Sequence, residues 1–207
     1  SIGDANGPYG SNRLPGSFLE IFTDEGITGY SLIGNGFVEK LFPLLEGKDP
    51  RSVVGLWKEM NDLVFKGGNE GERCDAISAI DLALWDLKAK IKGIPVWELL
   101  GLEKPKPVTT AYTVSLDTPE NMQKESNQKQ TYPLLKVKLG GPSDENCIRA
   151  VRRGSPNARI IVDANEAWTP EIYTYLAPIF KNLGVELVEQ PFPTGQDLVL
   201  KTLDRVL

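Results

Sequence analysis

Lys136 and Lys138 stand two residues apart in the run Leu134-Leu135-Lys136-Val137-Lys138-Leu139. On a β-strand that spacing points both side chains to one face. Asp163 closes the apolar run Arg159-Ile160-Ile161-Val162, and Glu189 closes Val185-Glu186-Leu187-Val188. Lys138 lies 25 residues before Asp163, and Asp163 lies 26 before Glu189. Each gap is about one strand-plus-helix unit, so the three residues take equivalent places at the ends of successive parallel strands, where such folds build their sites. Two ammonium groups and two carboxylates facing one pocket suit a metal-assisted proton abstraction next to a carboxylate. The lysines raise the cost of protonating one another, and partial burial acts the same way, so a lysine with a lowered pKa is expected to serve as base. The carboxylates, with no histidine in the chain, suit a hard cation such as Mg²⁺ that takes oxygen ligands. A plainer reading stays open for each alone: two solvated lysines on an edge strand, and carboxylates that cap helices or form ion pairs.

The elements that must position these residues follow from the pattern along the chain. Residues 1–16 are rich in Gly, Pro, Asn and Ser and read as loop. Ser17–Phe22 and Ile27–Leu32 flank Thr23-Asp24-Glu25-Gly26 as a β-hairpin. From Asp75 to Lys92, Ile77, Ile80, Leu84, Leu87 and Ile91 form one apolar stripe, with Asp75 as the expected N-cap and Gly93 and Pro95 as stops. Glu103–Pro107 reads as a linker. Beyond it the rhythm alternates. Strands are expected at Val108–Val114, Leu134–Leu139, Arg159–Ala164 and Val185–Glu189. Helices open at Thr118, Ser143 and Thr169, and a last one spans Asp197–Leu207. The fold class expected is thus an α+β domain over residues 1–104 followed, over 105–207, by α/β: about four βα units, half of a TIM-type barrel.

Composition narrows the function classes. A net charge of −5 and a pI near 5.0 argue against a nucleic-acid surface. Arg149, Arg152 and Arg153 read as solvated residues of a surface helix. Cys74 and Cys147 fall in different expected helices, which suggests a reducing compartment. No apolar run nears the roughly 18 residues needed to cross a bilayer, and no signal-peptide pattern opens the chain, so a cytoplasmic location is expected. The chain opens on Ser1 rather than Met, and an upstream piece is expected to be missing.

The segments Leu134–Leu139, Ile161-Val162-Asp163-Ala164-Asn165-Glu166-Ala167-Trp168 and Leu187-Val188-Glu189-Gln190-Pro191 closely resemble the enolase superfamily, within its mandelate racemase/muconate lactonizing enzyme family and most of all its dipeptide epimerases, typified by L-Ala-D/L-Glu epimerase. Ala76–Asp86, Gly93–Val96 and the hairpin around Thr23–Tyr30 resemble the family's capping domain. The resemblance implies a capping domain, whose first strand is absent here, and a (β/α)7β barrel. It implies Asp163 and Glu189 as two of three Mg²⁺ ligands, Lys138 as acid/base on one face of the substrate α-carbon, and Lys136 as the group that tunes it and contacts the carboxylate. Asn165 and Gln190 would orient the ligands beside them, and no organic-cofactor site is implied. The third ligand and an opposing lysine would follow later strands, so the chain reads as an incomplete fragment.

The implied activity is epimerisation or racemisation through an enediolate, acting on a small carboxylate such as a dipeptide, with no nucleic-acid or membrane partner and with homo-oligomers common in the family. An acid-sugar dehydratase or an o-succinylbenzoate synthase-like lyase is the alternative, and a non-catalytic fragment is a third. The cap loops at Gly7–Gly16, with Arg13, and at Ile33–Gly36 would set specificity. Trp168 suits either the pocket wall or packing on the next helix.

Overall fold

The computed structural model describes residues 3–4, 7–8, 16–33, 37–65 and 72–206. The chain divides into two compact units, one over Leu14–Lys106 and the other holding Pro107–Leu207. Two short strands, β1 (Gly3–Asp4) and β2 (Gly7–Pro8), pair antiparallel within the stretch expected to be loop. Arg13, residues 9–15 and residues 34–36 lie outside the described residues.

In the first unit, β3 (Ser17–Phe22) and β4 (Thr28–Ile33) form the expected hairpin, with Phe18 opposite Leu32 and Glu20 opposite Tyr30. Thr23 closes its turn twice over: its hydroxyl donates to the Ile27 carbonyl at 2.8 Å and accepts from the Ile27 N–H at 3.1 Å. Leu19 and Ile21 turn toward a core that also holds Leu41, Met60, Ile80 and Leu84. Those residues come from α1 (Val38–Leu41), α2 (Val53–Phe65) and α3 (Glu72–Lys92). The long helix α3 begins at Glu72, so Asp75 sits inside its first turn and is not the N-cap; apolar spacing marks the buried stripe but not how far a polar turn extends beyond it. Against α3, β4 comes so close that a Cβ on Gly29 would stand 2.3 Å from the Ala83 carbonyl oxygen. The Tyr30 N–H donates to Asp86 Oδ2 at 2.9 Å, and Lys90 donates to the Thr28 carbonyl at 2.9 Å. The short helix α4 (Val96–Leu99) follows the stop at Gly93 and Pro95.

The second unit is a four-stranded parallel sheet in the order β5 (Tyr112–Val114), β6 (Leu134–Lys138), β7 (Arg159–Asp163), β8 (Val185–Glu189). The helices α5 (Pro119–Gln128), α6 (Asp144–Gly154) and α7 (Pro170–Asn182) connect the strands. Such βαβ crossovers bury the helix-facing side of a parallel sheet. Leu135, Val137, Ile160 and Val162 are fully buried there against Met122, Ile148, Val151 and Phe180. The opposite face, which a complete barrel turns inward, carries the charged residues. Thr118 and Thr169 cap α5 and α7 with their side chains, each followed by Pro at the first helical position. The architecture is therefore an α+β unit followed by a partial α/β barrel.

Three elements depart from the sequence pattern. The first strand is only Tyr112–Val114, because β6 offers partners for those three residues alone, and Val108 is 89% exposed. The segment after β8 is a 3₁₀ turn over Asp197–Lys201 rather than a helix to Leu207. It leaves Leu198 70% exposed and packs Val199 and Leu203 only partly on the core, and a short segment with so little buried gains little from continuing as α-helix. Between β7 and β8 the register slips by one residue: Ile160 pairs with Val185 but Ile161 with Leu187, so Glu186 is the extra residue of a bulge.

Of the arginines of α6, Arg149 and Arg153 are exposed at the surface as expected, and Arg152 is not. Arg149 pairs with Glu145 at 2.9 Å, and Arg153 donates to Gln123 Oε1 at 3.1 Å. Arg152 donates to the carbonyls of Leu183 (2.9 Å), Ala158 (2.6 Å), Pro156 (3.1 Å) and Gly184 (3.2 Å). One guanidinium thus collects the carbonyls left over at two helix ends, a task its rigid fork suits. Among the described residues no helix is long and apolar enough to cross a membrane.

Helices α5 and α6 meet without room for a side chain at Gly154, where a Cβ would lie 2.1 Å from Ser126 Oγ and 2.4 Å from the Gln123 carbonyl oxygen. Gly154→Ala and Gly29→Ala should each lower stability to urea by about 1–3 kcal/mol, the usual cost of overpacking. Cys74 is exposed, whereas Cys147 is buried and not disulfide-bonded. Burial first, then the charges of Asp144, Glu120 and Asp117, push the Cys147 thiol up to about 11. A thiol reagent at pH 8 should modify Cys74 promptly and Cys147 only on unfolding, as peptide mass mapping would show.

Candidate active site

Register brings the four charged residues together. Lys138 pairs with Asp163 across β6 and β7, and Asp163 pairs with Glu189 across β7 and β8, so their Cα atoms stand level. Lys136, two residues earlier on β6, shares their face. The Lys136 ammonium lies 3.0 Å from Asp163 Oδ2 and 2.6 Å from Glu189 Oε2, and the Lys138 ammonium lies 2.7 Å from Asp163 Oδ2. Asp163 is 1% exposed. The side chains of Lys136 and Lys138 keep 23% and 21% of their surface. Neither carboxylate caps a helix; both are held by the lysines.

The electrostatics differ from the mutual depression expected of two neighbouring lysines. Burial pushes the Lys136 pKa down, but hydrogen bonds to Glu189 and Asp163 outweigh it and hold the group above its ordinary value. Burial alone would raise Asp163. The Lys138 ammonium, the Asp-facing N–H of Asn165 and the Lys136 ammonium hold it below the usual carboxylate range instead. The carboxylates across the strands, invisible to a reading of β6 by itself, reverse the sign for Lys136.

Asp163 Oδ2 and Glu189 Oε2 both reach the Lys136 ammonium, so the two carboxylates converge on a single cation. An all-oxygen pair of this kind is part of the ligand set of a hard divalent ion. In the turn just beyond, Asn165 Oδ1 is buried without a hydrogen-bond partner among the described residues. Among those residues no group of three or more His, Cys, Asp and Glu is gathered to hold a metal ion. Asp163 and Glu189 are two oxygen donors of the kind that Mg²⁺ takes.

The turns that carry the chain away from Asp163 and Glu189 are strained. Asn165 (φ 47°), Glu166 (φ 67°) and Gln190 (φ 43°) all adopt the left-handed conformation. That conformation costs a non-glycine residue roughly 1–2 kcal/mol, and such strain gathers at functional sites. The strand ladder holds these turns by continuing past the strands: the N–H groups of Ala164, Glu166 and Trp168 donate to the carbonyls of Glu189, Gln190 and Pro191 at 3.0, 2.8 and 2.9 Å. Gln190 contributes its backbone here, its side chain being exposed. Trp168 packs on Phe180 of α7, ring centroids 5.9 Å apart, and does not line the open face. A residue missed in the sequence is Asp144, a buried carboxylate that accepts from Trp168 Nε1 at 2.7 Å; its position at the start of an amphipathic helix looks like an ordinary helix-start acid.

The family model described as mandelate racemase/muconate lactonizing enzyme, N-terminal domain, matches residues 13–101, and that described as enolase C-terminal domain-like matches residues 120–206. The L-Ala-D/L-Glu epimerase of Escherichia coli (strain K12) is 37% identical over 154 residues, 73% of this chain and 46% of that protein. The L-Ala-D/L-Glu epimerase of Bacteroides thetaiotaomicron is 31% identical over 202 residues, 91% of this chain and 50% of that protein. An enolase family member from Agrobacterium tumefaciens with homology to dipeptide epimerases, crystallised with sodium and L-Ala-L-Glu, superposes with a TM-score of 0.72 at 30% identity, covering 100% of this chain and 62% of that one. Dehydratases also lie among the relatives. The chain spans about half the length of the curated relatives it matches.

The ion pairs should shape stability against pH. Because Asp163 is held below its ordinary 3.8, its contribution is complete above that pH and is lost as pH falls through its folded value. Because Lys136 is held above its ordinary 10.5, its contribution is complete below that pH and is lost as pH rises through its folded value. Asp163→Asn takes from Lys138 its carboxylate and leaves Lys136 to Glu189 alone. It should cost about 3 kcal/mol at pH 7, the low end for breaking a buried pair, and should flatten the acid limb of a urea-stability profile below pH 3.8.

Proposed function

Because the chain belongs to the mandelate racemase/muconate lactonizing enzyme family of the enolase superfamily, we propose that its strand-end cluster serves Mg²⁺-dependent epimerisation of a dipeptide. The observation that carries this reading is the Lys136 ammonium held between Asp163 and Glu189 with Lys138 alongside. Asp163 and Glu189 would hold the ion. Bound there, Mg²⁺ would draw electron density from a substrate carboxylate and so acidify the adjacent α-proton.

Lys138 is the residue to take that proton. It lies at the end of β6, its ammonium is anchored by one carboxylate oxygen, and part of its side chain is open to solvent. To act as base it must first lose a proton and turn from Asp163. Asp163 and Glu189, if they held a shared cation, would give up their hold on the ammonium groups, which would leave Lys138 free to turn. Lys136, released from its bridge in the same way, would be left to meet the substrate carboxylate as a positive charge. The substrate class follows from the dipeptide epimerases among the relatives. Dehydration is the second reading, supported by the dehydratase relatives, since it begins with the same proton abstraction.

Incubating the chain with L-Ala-L-Glu and Mg²⁺ in deuterated water tests the proposal. Deuterium should enter the glutamate α-position. Lys138→Ala should slow that exchange by at least about 100-fold, the lower range for loss of a general base. Asp163→Asn should weaken Mg²⁺ binding measured by calorimetry. Release of a keto acid from a sugar acid, without dipeptide exchange, would favour the dehydratase. Absence of both exchange and Mg²⁺ binding would refute catalysis by this chain.

A further inference from the structure

We propose that Asp144 is a positioning residue, a buried carboxylate that braces the ends of β6, β7 and β8 so that Lys136, Lys138, Asp163 and Glu189 keep one geometry. Asp144 is 3% exposed at the start of α6. Its Oδ1 accepts from the Gly141 N–H at 2.9 Å, and the Gly140 N–H reaches both of its oxygens at 3.1 Å. Its Oδ2 accepts from Trp168 Nε1 at 2.7 Å. Gly140 follows Lys138 by two residues, and its φ of 127° is open only to glycine. Trp168 follows Asp163 by five, and its own N–H donates to the Pro191 carbonyl, two residues beyond Glu189, at 2.9 Å. One carboxylate is thus joined through four hydrogen bonds to the loops after β6 and β7, and through the Trp168 backbone to the loop after β8.

A helix-start acid needs none of this. An Asp in the first turn gains from the helix dipole while staying in water. Asp144 is instead withdrawn from solvent, and its donors are N–H groups of uncharged residues in two different loops. Burying a carboxylate is costly unless its oxygens are satisfied, so the donors must stay where they are for the charge to be tolerated. That requirement makes the carboxylate a spacer of fixed size between the loops. Asn of the same shape would present an amide N–H to one of those donors or lose the charge that draws them in.

The inference rests on the proposed reading only for its catalytic consequence, and its test needs neither metal nor substrate. With lysine labelled in ¹⁵N, exchange of the ζ-ammonium protons of Lys136 and Lys138 with water reports how firmly the site's ion pairs are held. Lys90, bonded to Asp86 and to the Thr28 carbonyl in the other unit, serves as control. In Asp144→Asn, exchange at Lys136 and Lys138 should accelerate about tenfold, as expected for loss of one hydrogen bond to a charged group, with Lys90 unchanged and the Trp168 indole proton shifted upfield. Trp168→Phe, which keeps the ring against Phe180 and removes only the indole donor, should accelerate the same two lysines to a lesser degree. It decides the matter if Asp144→Asn does not fold. Unchanged exchange at Lys136 and Lys138 in a folded variant, or equal acceleration at all lysines, would overturn the proposal. Selective acceleration in a chain whose wild type shows no dipeptide exchange would uphold the brace and sink the functional reading.

Discussion

Residues 138, 163 and 189 stand level because three parallel strands are hydrogen-bonded in one register. Side chains alternate along a strand, so any pairing that brings one charged residue to the sheet's open face fixes which others can join it. On β6 the same alternation that buries Leu135 and Val137 against the helices sends Lys136 and Lys138 the other way. The hydrophobic core thereby orients the polar site. Neither lysine, nor Asp163, could be turned outward toward the helices without pulling a fully buried aliphatic residue from the opposite side.

Register alone would gather like charges as readily as opposite ones. What makes the cluster tolerable is that two ammonium groups face two carboxylates across the strands, within hydrogen-bond distance. A nearly buried carboxylate is stable in such a setting only while its oxygens are occupied. Asp163 is occupied by both lysines and by the Asn165 N–H, and Glu189, more open to water, by one lysine. The cluster is thus poised to trade one cation for another. The left-handed turns behind it are held by backbone bonds between the loops and, at Asn165, by Asp163 Oδ1, whereas the lysines sit on Oδ2, so such an exchange need not disturb them.

Much of this was legible in the sequence where the signal is local. Alternation marked β3 and β4, and Thr-Pro-Glu marked the starts of α5 and α7. Apolar runs ending in Lys138, Asp163 and Glu189 marked the strand ends. What was not legible depends on partners distant along the chain. Lys136 looked like a lysine depressed by its neighbour, because the carboxylates that hold it lie on β7 and β8. Arg152 looked solvated, because the carbonyls it collects come from segments up to 32 residues away. The segment at Asp197 looked helical by composition, yet two of its leucines find no core to enter. Asp144 gave no signal of its own, since only the fold brings Trp168 to it.

The bulge at Glu186 carries a consequence for how this chain tolerates change. Ahead of the bulge, Val185 pairs with Ile160; behind it, Leu187 pairs with Ile161 and Glu189 with Asp163. Were Glu186 paired in step instead of bulged out, every later position of β8 would move by one, and Val188 rather than Glu189 would stand beside Asp163. Glu189 would then face the helices. The parity of β8 is therefore set by the bulge, which takes Glu186 out of the ladder. Glu186 itself is exposed and pairs with Arg159 at the surface, and its removal would leave Val185 and Leu187 as neighbours facing Ile160 and Ile161, the pairing they already have. The bulge is thus slack in the strand: losing one residue there closes it and leaves Glu189 beside Asp163.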